Sequence, residues 1–209
     1  FVSLAGATAF ADPVQIQIDA GADLTPIFPA IYGMNDWQRN AASHSTGYTL
    51  LRIGGNRLTG YNWENNASNA GNDWYHSSDN MLVSGMSTAD QVTPGMGITR
   101  CVDHANDNGN PTLVTLQLAG FVAADKNGTV TEAQAAPSSR WKRVLITKGS
   151  ALSLTPDTSD DYVYLDELVN FLMERYGPAY AGGVYGYCLD NEPALWFSTH
   201  ARLHPQKAT

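Results

Sequence analysis

The residues best suited to chemistry lie near the C-terminus of the sequence, around a single glutamate. Glu192 follows Asp190 and Asn191 at the end of the apolar segment 184–192. If that segment is a strand of a parallel sheet, Glu192 emerges at its carboxyl end, where barrel enzymes place their reactive groups. An apolar rim there would keep a carboxyl group protonated, as a general acid requires. Asn-Glu-Pro alone is a short pattern, and a surface glutamate in a strand-ending turn is the alternative.

An arginine at the end of another predicted strand is a second candidate. Arg52 lies in segment 49–55, just before Gly54 and Gly55, and we expect it to point to the same rim as Glu192. A buried arginine needs a carboxylate partner. That partner is either a second catalytic carboxylate or an acid in a structural ion pair, and the sequence leaves both open.

Aromatic residues are concentrated in the polar loop that follows Arg52. Tyr61, Trp63 and Trp74 alternate there with Asn and Gly, and Trp196 follows Glu192. Flat aromatic faces stack on pyranose rings while amides and carboxylates reach the hydroxyl groups, so the mixture suits a groove for a neutral polysaccharide. In the alternative interpretation, these aromatic side chains pack on one another as a small core.

The sequence also offers candidate metal ligands, but no complete metal-binding pattern. Glu64 and Asp73 lie in the aromatic loop, and carboxylate oxygens suit calcium, although acids in such loops also cap turns. His200 and His204 are four residues apart, but Ala201 stands where the zinc-protease pattern requires glutamate.

Composition excludes several classes of protein. The chain has 209 residues and a net charge of −8, which argues against a nucleic-acid partner. No apolar run approaches the roughly 18 to 20 residues that span a bilayer. Residues 1–11 are small and apolar and end in Ala-Phe-Ala, which predicts the tail of an export signal and a secreted protein. A frayed N-terminal strand is the alternative. Cys188 is expected to be a small buried core residue.

Hydrophobic periodicity predicts an α/β protein. Apolar strands are expected at 14–19, 31–35, 49–55, 112–118 and 184–192, the last three buried on both faces of a parallel sheet. Helices are expected at 95–108 and 160–176, the second capped by Asp160 and Asp161 and ended by Gly177. The intervening loops, 56–94 and 119–159, are long enough to carry function.

Four segments occur in the sequence in this order: RIGGNRLTGYNWENNASNAGNDWYHSSDN, APSSRWKRV, SLTPDTSDDYVYLDE and GYCLDNEPALW. Together they resemble the N-terminal half of glycoside hydrolase family 44, a family of retaining endo-β-1,4-glucanases that includes xyloglucanases. The resemblance implies a (β/α)8 TIM-like barrel, of which residues 31–209 form the first half. It also implies that residues 12–30 supply a strand of a β-sandwich. The chain is therefore expected to be truncated at both ends, inactive and poorly folded by itself.

The resemblance also implies roles for particular residues. Glu192 matches the general acid/base, and the nucleophile is a second glutamate beyond residue 209. The expected substrate is a β-1,4-linked glucan, cellulose-type or xyloglucan, bound by a monomer that needs no cofactor for its chemistry. A structural calcium ion is expected, with Glu64 and Asp73 as suspected ligands. A non-catalytic carbohydrate-binding protein and a related xylanase or mannanase remain alternatives.

Overall fold

A computed structural model of the chain describes residues 14–35 and 47–207. The predicted export signal, at residues 1–11, lies outside these residues. Within them, no helix is both long and apolar enough to cross a membrane.

A four-stranded parallel sheet forms the centre of the structure. Its strands are β1 (Met34–Asn35), β2 (Leu51–Ile53), β5 (Thr112–Leu116) and β10 (Gly186–Leu189), which lie side by side in that order. Every neighbouring pair is parallel, so all four carboxyl ends meet at one edge of the sheet. The predicted α/β class is confirmed, and the strands are shorter than their apolar segments.

The long helix α3 (Met96–Asp107) packs against this sheet as the sequence predicts. Ile98, Val102 and Ala105 are fully buried, which confirms the predicted apolar face. Gly95 precedes the helix with φ 73°, in the left-handed region that glycine enters without steric cost. The shorter helices are α1 (Asn56–Thr59), α2 (Thr88–Val92) and α5 (Trp196–Thr199).

The helix predicted at 160–176 begins later than expected. Strand β9 (Tyr162–Tyr164) pairs with β8 (Trp141–Leu145), and helix α4 (Leu165–Tyr176) starts only after it. Asp160 and Asp161 therefore do not cap the helix, because their segment leads into a strand instead. The predicted end is confirmed, since Gly177 follows the last helical residue with φ 80°.

The two long loops fold into small sheets of their own. The first contributes β3 (Ser68–Asn69) and β4 (Ser77–Asp79), which pair with each other, and β4 also pairs with β7 (Gly128–Thr129) from the second. The second loop also supplies β6 (Phe121–Ala123), which pairs with β8 in a sheet completed by β9. Backbone pairing thus orders the long loops next to the main sheet.

Two predictions about burial are wrong for the described residues. Strand β10 is an edge strand in which Cys188 is only half-buried and Leu189 is 69% exposed. Residues 14–19 form no strand, and Ile16 is 81% exposed, because no described strand lies beside them to pair with their backbone. A closed barrel and a β-sandwich therefore remain predictions.

Candidate active site

Glu192 lies directly beyond β10, at the edge where the four parallel strands end. Its side chain is exposed, and its backbone adopts the left-handed conformation, φ 45° and ψ 56°. Pro193 then opens a short 3-10 helix, Pro193–Leu195. The predicted position at the carboxyl rim is confirmed. The apolar wall expected around this carboxyl group is not formed by the described residues.

Arg52 and Asn191 connect the ends of three of the four parallel strands, β1, β2 and β10. The guanidinium donates from Nη2 to Asn191 Oδ1 over 3.0 Å and from Nη1 to Asn35 Oδ1 over 3.1 Å. Within the described residues Arg52 has no carboxylate partner, and a partnership with a second catalytic carboxylate stays a prediction. Both acceptors are amide oxygens, and these suffice because Arg52 is only half-buried and stays in contact with water.

Asn191 in turn contacts both Glu192 and the start of α1. Its Nδ2 donates to Asn56 Oδ1 over 3.0 Å and, more weakly, to Glu192 Oε2 over 3.4 Å. Asn56 Nδ2 lies 3.1 Å from each carboxylate oxygen of Asp73. The amide of Asn191 is therefore fixed on one side and leaves one hydrogen facing the glutamate.

The ring of His200 binds the backbone of Asn56. Its Nε2 lies 2.8 Å from the Asn56 carbonyl oxygen, which can only accept, so Nε2 carries the hydrogen and Nδ1 faces the hydroxyl of Thr199. Burial lowers the pKa of His200 and favours the neutral ring. Sequence reasoning considered His200 only as a metal ligand, because spacing carries no signal of a contact across 144 residues.

Asp190 is a buried carboxylate at the end of β10. Oδ1 accepts from the Thr59 hydroxyl and the Asn191 N–H, each over 2.7 Å. Oδ2 accepts from the N–H groups of Leu118 and Ala119, over 2.6 and 3.1 Å. Sequence reasoning gave this residue no role, although its place directly beside the Asn-Glu-Pro pattern was visible.

A groove of about 610 Å³ begins beside Asn56 and Asp73. We call it the Trp74 groove after its largest exposed aromatic side chain, which is 61% exposed and meets Tyr75 edge-on, with ring centroids 5.2 Å apart. Glu192 does not line this groove, and Asn56 connects the groove with Asn191. The described lining residues are Asn56, Arg57, Ala70, Asp73, Trp74, Asp79, Asn80, Met81 and Ser84.

Three of the four aromatic residues predicted to bind substrate are buried. Tyr61 and Trp63 have no exposed surface, since Tyr61 donates to Asn66 Oδ1 and Trp63 packs on Phe171. Trp196 is 9% exposed, and its Nε1 donates to the Asn191 carbonyl over 2.8 Å. These rings form the core and support the loops, which corrects the prediction. Trp74 alone of the four is exposed enough to stack on a sugar.

Glu64 and Asp73 do not fit a shared calcium site. Glu64 is buried, and its Oε2 accepts from the Lys142 ammonium over 3.0 Å, where the positive charge opposes a cation. Burial raises the pKa of Glu64 to about 7, and Lys142 acts in the opposite direction. Asp73 is bound to Asn56 instead. Residues 14–35 and 47–207 contain no cluster of three His, Cys, Asp or Glu residues suited to a metal ion.

The rim thus combines an exposed glutamate, an oriented asparagine and an adjacent aromatic groove at the ends of parallel strands. Such an arrangement is typical of the glycoside hydrolase class, in which carboxyl groups at strand ends act on glycosidic bonds. The chain belongs to glycoside hydrolase family 44, whose model matches residues 67–209.

Three similar proteins agree with this assignment. The chain is 49% identical over 199 residues to "Beta-mannanase/endoglucanase A" of Caldicellulosiruptor saccharolyticus, covering 94% of this chain and 15% of that protein. It is 46% identical over 206 residues to "Endoglucanase A" of Paenibacillus lautus, covering 97% and 29%. A solved xyloglucanase of Paenibacillus polymyxa superimposes with TM-score 0.83 at 52% identity, covering 88% and 36%. The chain thus spans about a third or less of the length of these relatives.

Proposed function

We propose that the complete protein cleaves internal β-1,4-glucosidic bonds of a glucan, either cellulose-type or xyloglucan, with retention of configuration. The names of the relatives support this substrate class, since one is described as an endoglucanase and another as a xyloglucanase. Such polymers are too large to cross a membrane, so we also infer that the protein acts outside the cell. We place no cofactor in the reaction.

One observation carries the proposal: the exposed carboxyl group of Glu192 stands at the carboxyl ends of the parallel strands beside the oriented amide of Asn191. In a polysaccharide hydrolase this is where the leaving oxygen must meet a proton donor. The other described carboxyl groups near it, Asp190 and Asp73, are already held by several hydrogen bonds. Glu192 is therefore the group free to exchange a proton with a substrate.

The proposed reaction has two steps. Protonated Glu192 donates to the departing glucosidic oxygen while a second carboxylate, outside the described residues and roughly 5 to 5.5 Å away, forms a bond to the anomeric carbon. Glu192, now ionised, then removes a proton from the water that breaks the covalent intermediate. We propose that the Asn191 Nδ2–H facing Glu192 donates instead to the 2-hydroxyl of the bound sugar, a contact that strengthens in the transition state.

Glu192→Gln in the complete protein tests the acid role. The amide cannot donate a proton of comparable acidity, so we expect kcat on glucan polymer to fall by roughly 100- to 10,000-fold. The loss of kcat/KM, which reports only the first step, should be far smaller on an aryl cellobioside, whose leaving group needs no proton, whereas kcat on that substrate also falls because the second step needs Glu192 as base. Glu174→Gln, an exposed glutamate on helix α4, is the matched control and should leave both activities unchanged.

Equal losses of kcat/KM on the two substrates would remove Glu192 from the acid role. A wild-type protein that binds glucan and hydrolyses neither substrate would instead favour the non-catalytic carbohydrate-binding alternative. Retention is tested separately, because the first product seen by NMR must be the β-anomer.

The preferred polymer needs its own experiment. One relative carries mannanase in its name, so mannan and xylan belong in the comparison beside cellulose, mixed-linkage glucan and xyloglucan. We expect kcat/KM to be highest on a β-1,4-glucan backbone. A preference for mannan or xylan by tenfold or more would contradict the proposed substrate class while leaving the role of Glu192 intact.

A further inference from the structure

Two residues with side chains adopt the left-handed backbone conformation on either side of Asn191. Asp190 has φ 63° and Glu192 has φ 45°, a region that non-glycine residues rarely enter. Such a conformation persists only where surrounding contacts impose it. The direction in which Glu192 leaves β10 therefore depends on whatever holds this turn.

Contacts on both sides hold the peptide groups of the turn. The Asn191 N–H donates to Asp190 Oδ1 over 2.7 Å, and the Asn191 carbonyl accepts from Trp196 Nε1 over 2.8 Å. Beyond it, the Glu192 carbonyl accepts from the Leu195 N–H over 2.8 Å. Of these contacts, only the first comes from a side chain that also accepts hydrogen bonds from the segment after the neighbouring strand β5.

The Asp190 carboxylate joins three parts of the structure. Oδ2 accepts the N–H groups of Leu118 and Ala119, which follow β5, and Oδ1 accepts the hydroxyl of Thr59, at the end of α1. A buried carboxylate is costly unless its oxygens are hydrogen-bonded, and these four donors meet that need. The arrangement fixes the end of β10 relative to β5.

Resting on the proposed function, we infer that Asp190 is a positioning residue for the general acid Glu192. Its carboxylate anchors the end of β5 through one oxygen and holds the left-handed turn through the other. The acid thereby points at the leaving oxygen. A displacement of a catalytic group by about 1 Å can cost roughly 100-fold in rate.

Asp190→Asn separates the two functions of the carboxylate. The new NH2 group cannot face the two N–H donors of Leu118 and Ala119, so the amide oxygen must take that side. The NH2 group then faces the Asn191 N–H and can still donate to the Thr59 hydroxyl. The anchor to β5 survives, and the bond that holds the turn is lost.

In the complete protein, we expect Asp190→Asn to lower kcat on glucan by roughly 100-fold and to change KM by less than about threefold. The loss of kcat/KM on an aryl cellobioside should be below about tenfold, because a good leaving group does not need the acid in the first step. A purely structural role would lower both activities equally. Asp125→Asn is the matched control, since its carboxylate also accepts a backbone N–H, from Asn127, and a side-chain bond, from Arg140.

If Asp190→Asn does not fold, Asp190→Glu replaces it, because the longer side chain keeps the charge and both oxygens but displaces them by one methylene. The same dependence on the leaving group is expected, and equal losses on both substrates overturn the inference. Glu192→Gln measured in parallel separates the two proposals. If Glu192→Gln shows the dependence and neither Asp190 variant does, the positioning role fails alone; if Glu192→Gln lacks it, the proposed acid fails.

Discussion

Gly54→Ala should impair catalysis although it touches neither substrate nor Glu192. A Cβ atom at position 54 would lie 2.5 Å from Arg52 Cζ and 2.8 Å from Arg52 Nε and Nη1. Ordinary contact begins at 3.4 Å, so the guanidinium must withdraw by about 3.4 − 2.5 = 0.9 Å. The backbone of Gly54 lies outside the left-handed region, so the alanine itself introduces no backbone strain.

The magnitude follows from the contacts that the guanidinium makes. Its bonds to Asn35 and Asn191, at 3.1 and 3.0 Å, would stretch towards 4 Å and break. A hydrogen bond from a charged group contributes about 1.5 to 3 kcal/mol, which we reduce to about 1 to 2 kcal/mol because Arg52 is partly exposed. If this energy orients Asn191 in the transition state, kcat falls by roughly 5- to 30-fold.

The assay is kcat and KM on glucan polymer with the complete protein, together with the melting temperature. Gly21→Ala is the control, because its added Cβ would meet only Asp19 Oδ1, at 3.4 Å. Arg52→Met should reproduce the loss, and the double variant should lose no more than Arg52→Met alone, since both changes act on one side chain. Additive losses would show that Gly54 acts by another route and would refute the argument.

Two further predictions concern the groove and the buried histidine. Trp74→Ala should raise KM for glucan by roughly 2- to 12-fold with kcat unchanged, as expected for the loss of about 0.5 to 1.5 kcal/mol of stacking. Trp74→Phe should raise KM by less, because it keeps an aromatic ring. An unchanged KM in Trp74→Ala would exclude stacking there. Burial lowers the pKa of His200 below its ordinary 6.5, so as pH falls below about 6.5 the unfolded chain takes up a proton that the folded chain does not, and stability falls. His200→Gln keeps a donor for the Asn56 carbonyl and should reduce this loss of stability by at most about 1.4 kcal/mol per pH unit. The measurement is the melting temperature of both proteins between about pH 7.5 and 5. An identical pH dependence in the variant would contradict the prediction.

Periodicity predicted the fold best where a segment packs on one continuous face. Helix α3 was predicted almost to the residue, because its apolar positions and terminal glycine act locally. The start of α4 was wrong, because Tyr162–Tyr164 pairs with a strand 17 or more residues away, and that pairing outweighs the capping residues before it. Apolar character also failed to predict burial in β10, where the neighbour on one side of the strand decides whether Leu189 is covered.

Some features of the candidate site could be predicted from the sequence and others could not. The position of Glu192 after an apolar strand was readable from the sequence, since a strand followed by Asn-Glu-Pro must end there. The exposure of the aromatic rings was not readable, because Trp63 and Trp74 lie in the same kind of polar, glycine-rich segment, yet one is buried against Phe171 and the other is 61% exposed. Which of them faces a substrate depends on what packs beneath the loop.

The sequence by itself determined the α/β class, the family resemblance and the identity of the exposed glutamate. These properties depend on local order along the chain: strand, turn and the residues that follow. The tertiary structure alone decided that Arg52 binds Asn191, 139 residues away, and that Asp190 binds Thr59, 131 residues away. Hydrogen bonds of this kind form only when folding brings distant segments of the chain together, so no pattern of neighbouring residues encodes them.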